Sequence, residues 1–83
     1  MRYVAKIEVS LKPGHSNPEG ETTSRLLVEL GYKVHTVDVS KVYTVLLDAP
    51  TFEDAKAETE EMSKRLLTNP TKDNYTISVV EQK

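Results

Sequence analysis

The sequence predicts an α+β domain: a two-layer βαββαβ unit, with a four-stranded sheet carrying two helices on one face and dimerising through the sheet. Three observations predict it. Four segments alternate apolar and polar residues with the period of a strand, two longer segments show the caps and spacing of a helix, and 83 residues hold one hydrophobic core. A single domain over residues 1–83 follows.

From Tyr3 to Leu11 the residues Tyr3, Ala5, Ile7, Val9 and Leu11 share one face, while Arg2, Lys6, Glu8 and Ser10 fall largely on the other, as in a half-buried strand. Pro, Gly, Ser and Asn then gather between Lys12 and Pro18 into a loop of defined shape. Asn17 is a good N-cap, Pro18 suits the first helical position, Glu19 and Glu21 favour the positive end of the dipole, and Gly31 suits the position after the C-cap. A first helix over about Pro18 to Leu30 results. Its apolar stripe is Leu26, Leu27 and Leu30, so its N-terminal half is polar, and Gly20 weakens that half further.

Lys33 to Ser40 is rich in β-branched residues and predicts a second strand, with a change of apolar phase between Val34 and Val37. A third strand, Val42 to Leu47, is apolar on both faces: Tyr43, Val45 and Leu47 on one, Val42 and Leu46 on the other. Helices of the domain can cover one face, and the economical cover for the other is a partner surface. Thr51 followed by Asp54 reads as a capping box, and Phe52, Ala55, Thr59, Met62 and Leu66 recur at helical spacing, which predicts a second helix over about Phe52 to Leu67. Asn69-Pro70 ends it, and the alternation of Tyr75, Ile77 and Val79 predicts the fourth strand.

Val, Leu, Ile and Phe supply 21 of 83 residues, above the roughly one-fifth expected of disordered chains. Hydrophobic content of 37% is nonetheless low for so short a chain, so part of the stability is expected from burial against another subunit. A net charge of -2 argues against nucleic-acid binding, which requires phosphate neutralisation. Without cysteine there is no disulfide, thiolate nucleophile or cysteine metal site. The charged start and the lack of a long apolar run predict neither secretion nor membrane insertion, so the cytoplasm is the expected location.

His15 and His35 have no partner at metal-ligand spacing, so no metal site is expected. No nucleophile elbow or phosphate loop is present, and no independent catalytic activity is expected. The acidic run Glu58, Glu60, Glu61 reads as a solvated helix face, and Asn74-Tyr75-Thr76 as a chance match to the glycosylation pattern. Lys12, before the Pro13-Gly14 turn, and Lys41, between the second and third strands, are the basic side chains nearest a candidate anion site; beside the first helix's N-terminus Lys12 could help hold a phosphate or a partner's carboxylate, although an ordinary exposed lysine is the favoured reading.

Leu11-Lys12-Pro13-Gly14, Asn17-Pro18-Glu19-Gly20, Leu30-Gly31-Tyr32, Val37-Asp38-Val39-Ser40-Lys41 and Leu66-Leu67-Thr68-Asn69-Pro70, in this order before Tyr75, carry a resemblance over nearly the whole chain. The sequence resembles the PurS family, the small subunit of phosphoribosylformylglycinamidine synthase in purine biosynthesis. That family usually has Asp-Pro in place of Asn17-Pro18, which keeps the cap, and Arg and Gly in the segment holding Asp38 and Ser40.

The resemblance implies a non-catalytic subunit of an ATP-dependent, glutamine-hydrolysing ligase. It would bridge a glutaminase subunit (PurQ-type) and a synthetase subunit (PurL-type), so that ammonia passes between them. ATP, Mg and glutamine would be used by the whole complex, with no cofactor bound by this chain alone. A homodimer, or a tetramer by further pairing, is expected, with Tyr43, Val45 and Leu47 at the homodimer interface and Lys12, Asn17 and Lys41 near the larger partners. The alternative is a stand-alone regulatory module of ACT-like architecture that binds an amino acid, since such modules share the βαββαβ order.

Overall fold

In the computed structural model, which describes residues 1–83, Arg2–Leu11 forms the central strand β1. Its apolar positions Tyr3, Ala5, Ile7 and Val9 are all buried, with Ile7 fully enclosed. Pro18–Glu29 forms helix α1, Lys41–Asp48 strand β2, Phe52–Met62 helix α2 and Asp73–Glu81 strand β3. The sheet order is β2-β1-β3, antiparallel throughout. In register, Val4 lies opposite Leu46 and Val80, while Ile7 lies opposite Tyr43 and Ile77. No helix is long and apolar enough to cross a membrane.

The expected four-stranded sheet is corrected to three strands. Residues 32–40 run without helix, turn or bend straight into β2. A tight hairpin would require positive φ at its central residues, which Gly and Asn adopt readily. The junction Val39-Ser40-Lys41-Val42 has neither, so the β-prone segment does not fold back onto the strand that follows it.

The expectation of two helices on one sheet face is corrected as well. Only α2 packs broadly on the sheet, over β1 and β3, while α1 makes no comparable packing on any strand. Instead α1 lies along residues 32–40 as an arm. Asn17 Oδ1 accepts a hydrogen bond from the Gly20 amide at 3.0 Å, and its Nδ2 donates to the Val39 carbonyl at 3.3 Å. Gly20 is the one buried residue of α1, and a Cβ there would collide with the Val37 carbonyl. Its place in the helix is therefore set by a close backbone approach. Gly31, at φ 101°, closes the helix in the left-handed conformation.

The arm makes the chain extended, at 51 × 30 × 13 Å. Its radius of gyration is 16.4 Å, whereas a compact domain of this length has about 12 Å.

Under the sheet, α2 presents Ala55, Thr59 and Ser63, not the expected stripe through Met62 and Leu66. Thr59 Oγ1 donates to the Ala55 carbonyl at 2.7 Å and Ser63 Oγ to the Thr59 carbonyl at 2.8 Å, so both hydroxyls are satisfied within the helix while fully buried. Small side chains let the helix sit close to the strands. At Ser63–Leu67 the helix widens into a π-helical turn, closed by the Thr68 amide on the Ser63 carbonyl, and Leu66 turns out to solvent at 83% exposure.

Ile7 is the best enclosed large side chain of a small core. Ile7→Ala is expected to lower the unfolding free energy by about 2–5 kcal/mol, measured by urea denaturation. A loss below about 1 kcal/mol would place the core elsewhere.

Candidate functional site

Catalytic machinery would need titratable groups converging in a cleft. No three His, Asp or Glu side chains come together in a metal-holding group. His15 and His35 are both exposed, one in the loop before α1 and one on the arm. What the chain presents instead is surface, in three places.

The first is the inner face of β2. Tyr43, Val45 and Leu47 point to the side of the sheet that carries α2, packed against Ala5, Ile7 and Val9, and all three remain half-exposed. The reason is geometric: α2 covers β1 and β3 and leaves β2 bare. Between β2 and the helix runs an open groove of about 380 Å³ floored by Val45, Met62 and Leu67, with Glu58, Glu61 and Arg65 on its sides. Arg65 and Glu61 pair at 2.8 Å across one helical turn, both well exposed.

The second is the outer sheet face. The row Leu46, Val4, Val80 and the nearby Val42 form an apolar strip beside Lys6 and Glu8. Sequence reasoning placed Val42 and Leu46 there but missed Val4 and Val80. The signal for Val80 was the Val79-Val80 doublet, which must put one valine on each face of a strand. At the edge of this face Arg2 pairs with Asp48 at 3.0 Å, directly opposite in register. The hydrogen bond and charge of Arg2 hold the Asp48 carboxyl below its ordinary value, but solvent screens so exposed a pair.

The third lies where β1 ends and β2 begins. Asn17 and Lys41 line one shallow depression there, and Lys12 lines its neighbour together with Asn17. The structure thus brings the three residues to one end of the sheet. Two already have internal partners. Lys12 Nζ donates to the Pro70 carbonyl at 2.9 Å, tying down the loop before β3, and Asn17 holds the arm. Lys41 opens β2 opposite Val9 and is exposed.

Two tyrosines behave as structural groups. Tyr3 is buried among Ala49 and Ala55, and that burial, followed by the negative charge of Glu81, Glu53 and Asp54, raises its pKa. The Tyr75 hydroxyl donates to Glu60 Oε2 at 2.8 Å, joining β3 to α2. This bond first, then burial and the Glu60 charge, raises its pKa above the ordinary tyrosine value.

The pattern of the family described as "PurS: Phosphoribosylformylglycinamidine (FGAM) synthase" matches residues 4–81. The chain is 37% identical over 81 residues to the phosphoribosylformylglycinamidine synthase subunit PurS of Methanothermobacter thermautotrophicus, covering 98% of this chain and 96% of that one. It superposes on PurS of Thermus thermophilus with a TM-score of 0.91 at 30% identity, over 100% of both chains. It also superposes on a chain of the PurLQS structure from Thermotoga maritima with a TM-score of 0.87 at 25% identity, over 96% of this chain and 99% of that one. The arm falls within these superpositions, so its projection from the sheet is shared.

A raised tyrosine pKa means that the protonated hydroxyl is favoured by folding. Its stabilisation is complete below the unfolded value of about 10 and is lost as pH rises through the folded value. Absorbance titration should show Tyr3 and Tyr75 ionising late, and Tyr75→Phe should remove one late step and lessen the alkaline loss of stability. Loss of an ordinary tyrosine step in Tyr75→Phe, with the late steps kept, would contradict the bond to Glu60.

Proposed function

The chain belongs to the PurS family, and from that membership we propose that it is the small, non-catalytic subunit of phosphoribosylformylglycinamidine synthase in purine biosynthesis. The observation that carries this reading is the full-length likeness to PurS subunits, extending to a chain of the PurLQS assembly. In this role the chain joins a PurQ-type glutaminase to a PurL-type, ATP-dependent synthetase in the cytoplasm. Glutamine hydrolysis belongs to the first partner and amidination of formylglycinamide ribonucleotide to the second. ATP, Mg and glutamine are then used by the assembly and not held by this chain.

Ammonia released into water is protonated and loses its nucleophilicity, so the two centres must be held in register. A small rigid sheet with several uncovered surfaces suits that task. The chain works as a homodimer, or as a tetramer by further pairing, with Tyr43, Val45 and Leu47 covered in the dimer. The support is their apolar character combined with incomplete cover by α2. Lys12, Asn17 and Lys41 lie at the end of the sheet offered to a larger subunit, with Lys41 the exposed charge among them.

The regulatory-module alternative loses its basis, because it rested on a closed βαββαβ unit that the chain does not form by itself. The deciding experiment is glutamine-dependent amidination by the two large subunits, with and without this chain, with the mass of the complex followed by light scattering. Activity and a ternary complex are expected only when the chain is present. Full activity in its absence, with no association, would overturn the reading.

A further inference from the structure

We propose that the depression between the Lys12–His15 loop and the arm is a binding site for a phosphorylated ribose. The function put forward above enters only in the choice of sugar, since the substrate of that assembly is a ribonucleotide. The site itself stands on the residues of this chain.

The depression measures about 480 Å³ and lies between the end of β1, the loop and residues 38–40 of the arm. Small-molecule sites begin at roughly 300 Å³, so a sugar phosphate fits. Its floor is the half-buried Ser10, Leu11 and Val39, while the exposed His15 stands on the loop side and the exposed Asp38 and Ser40 on the arm side. The polarity of the two walls is divided. Positive charge and N–H donors belong to the loop, and the carboxylate belongs to the arm.

The loop wall suits a phosphate. Lys12 Nζ donates to the Pro70 carbonyl at 2.9 Å, which fixes the tip of the side chain and leaves its other N–H groups free. Less ordering entropy is then lost when an anion binds. The backbone turns at Gly14 with φ 90°, its amide donates to no group of the chain, and a Cβ placed there would meet nothing within 4 Å. The crest of the loop is therefore open and carries an unspent donor. The His15 ring adds another.

The arm wall suits the hydroxyls of a sugar. A carboxylate accepts hydrogen bonds from sugar hydroxyls, as acidic residues do for the ribose 2′-hydroxyl in dinucleotide sites. The hydroxyls of Ser10 and Ser40 stand beside Asp38 as donors or acceptors. Of the side chains around the depression, only Lys12 and Asn17 hydrogen-bond within the chain, and neither ion pair of the structure involves Asp38. Asp38 also sets the direction of the ligand, because like charges repel and the phosphate must lie at the loop end. Leu11 and Val39 offer apolar surface to the ring carbons between the two ends. Free phosphate would use one wall, and ribose phosphate would use both.

The test needs this chain alone. Backbone amide shifts are followed by NMR while ribose 5-phosphate, inorganic phosphate or ribose is added at constant pH and ionic strength. Ribose 5-phosphate is expected to shift the amides of Gly14, His15, Asp38 and Ser40 together and saturably, and to bind at least about tenfold more tightly than inorganic phosphate. Asp38→Ala should reduce its affinity to that of inorganic phosphate, and His15→Ala should weaken both. Both residues are exposed, so the variants keep the fold.

Equal binding of phosphate and ribose 5-phosphate would overturn the sugar assignment. The absence of a saturable shift with ribose 5-phosphate, or an affinity unchanged in Asp38→Ala, would overturn the site. No large subunit takes part, so these outcomes are separate from the amidination experiment, whose failure would remove the synthase role and leave a measured sugar-phosphate site in place.

Discussion

The constraint on which the structure depends is the straight passage from residue 32 into β2. Had a turn formed at Ser40-Lys41, the segment before it would have paired with β2, α1 would have followed onto the sheet, and a closed two-layer domain would have resulted. Without the turn, one end of the sheet carries an extended arm. Asn17 and Gly20 fasten that arm to itself, so α1 keeps its place although none of its apolar residues is buried. The radius of gyration, the small core and the bare inner face of β2 are consequences of this one local fact.

The core tolerates such an arrangement because it is concentrated on β1. The central strand is paired on both sides, and its four inner residues are buried under α2. Ala55, Thr59 and Ser63 bring the helix in closely, and the Tyr75 bond to Glu60 anchors it to β3. This body is stable ground from which the remaining surfaces can be offered to other chains. For a subunit of a larger synthase, surface left uncovered by its own fold is what it can offer to other chains.

Much of this was legible in the sequence. Period-two alternation located three strands that form, and Asn17, Thr51 and Gly31 marked helix ends that hold. The β-branched character of Lys33 to Ser40 predicted a strand that the chain does not form, because composition states a preference for a ladder and not whether an edge of the same sheet lies within reach. Gly20 was read as a weakness of the first helix because its reason, the carbonyl of Val37, lies seventeen residues away. Ala55 and Thr59 of the predicted stripe are buried, but the next buried position went to Ser63 and not to Met62 or Leu66, since its hydroxyl, like that of Thr59, bonds to the helix itself and so passes as apolar. The opposition of Tyr43, Val45 and Leu47 to Val42 and Leu46 held, yet only the placement of α2 decided which set faced the helix.

The central claim is that residues 33–40 pass into β2 without a turn and carry no backbone-to-backbone hydrogen bond within their own chain. Amide hydrogen exchange of that segment in dilute, monomeric protein tests it most directly. Fast exchange of residues 34–40 while β1 stays protected is the predicted result. Exchange in this segment as slow as in β1 would contradict it.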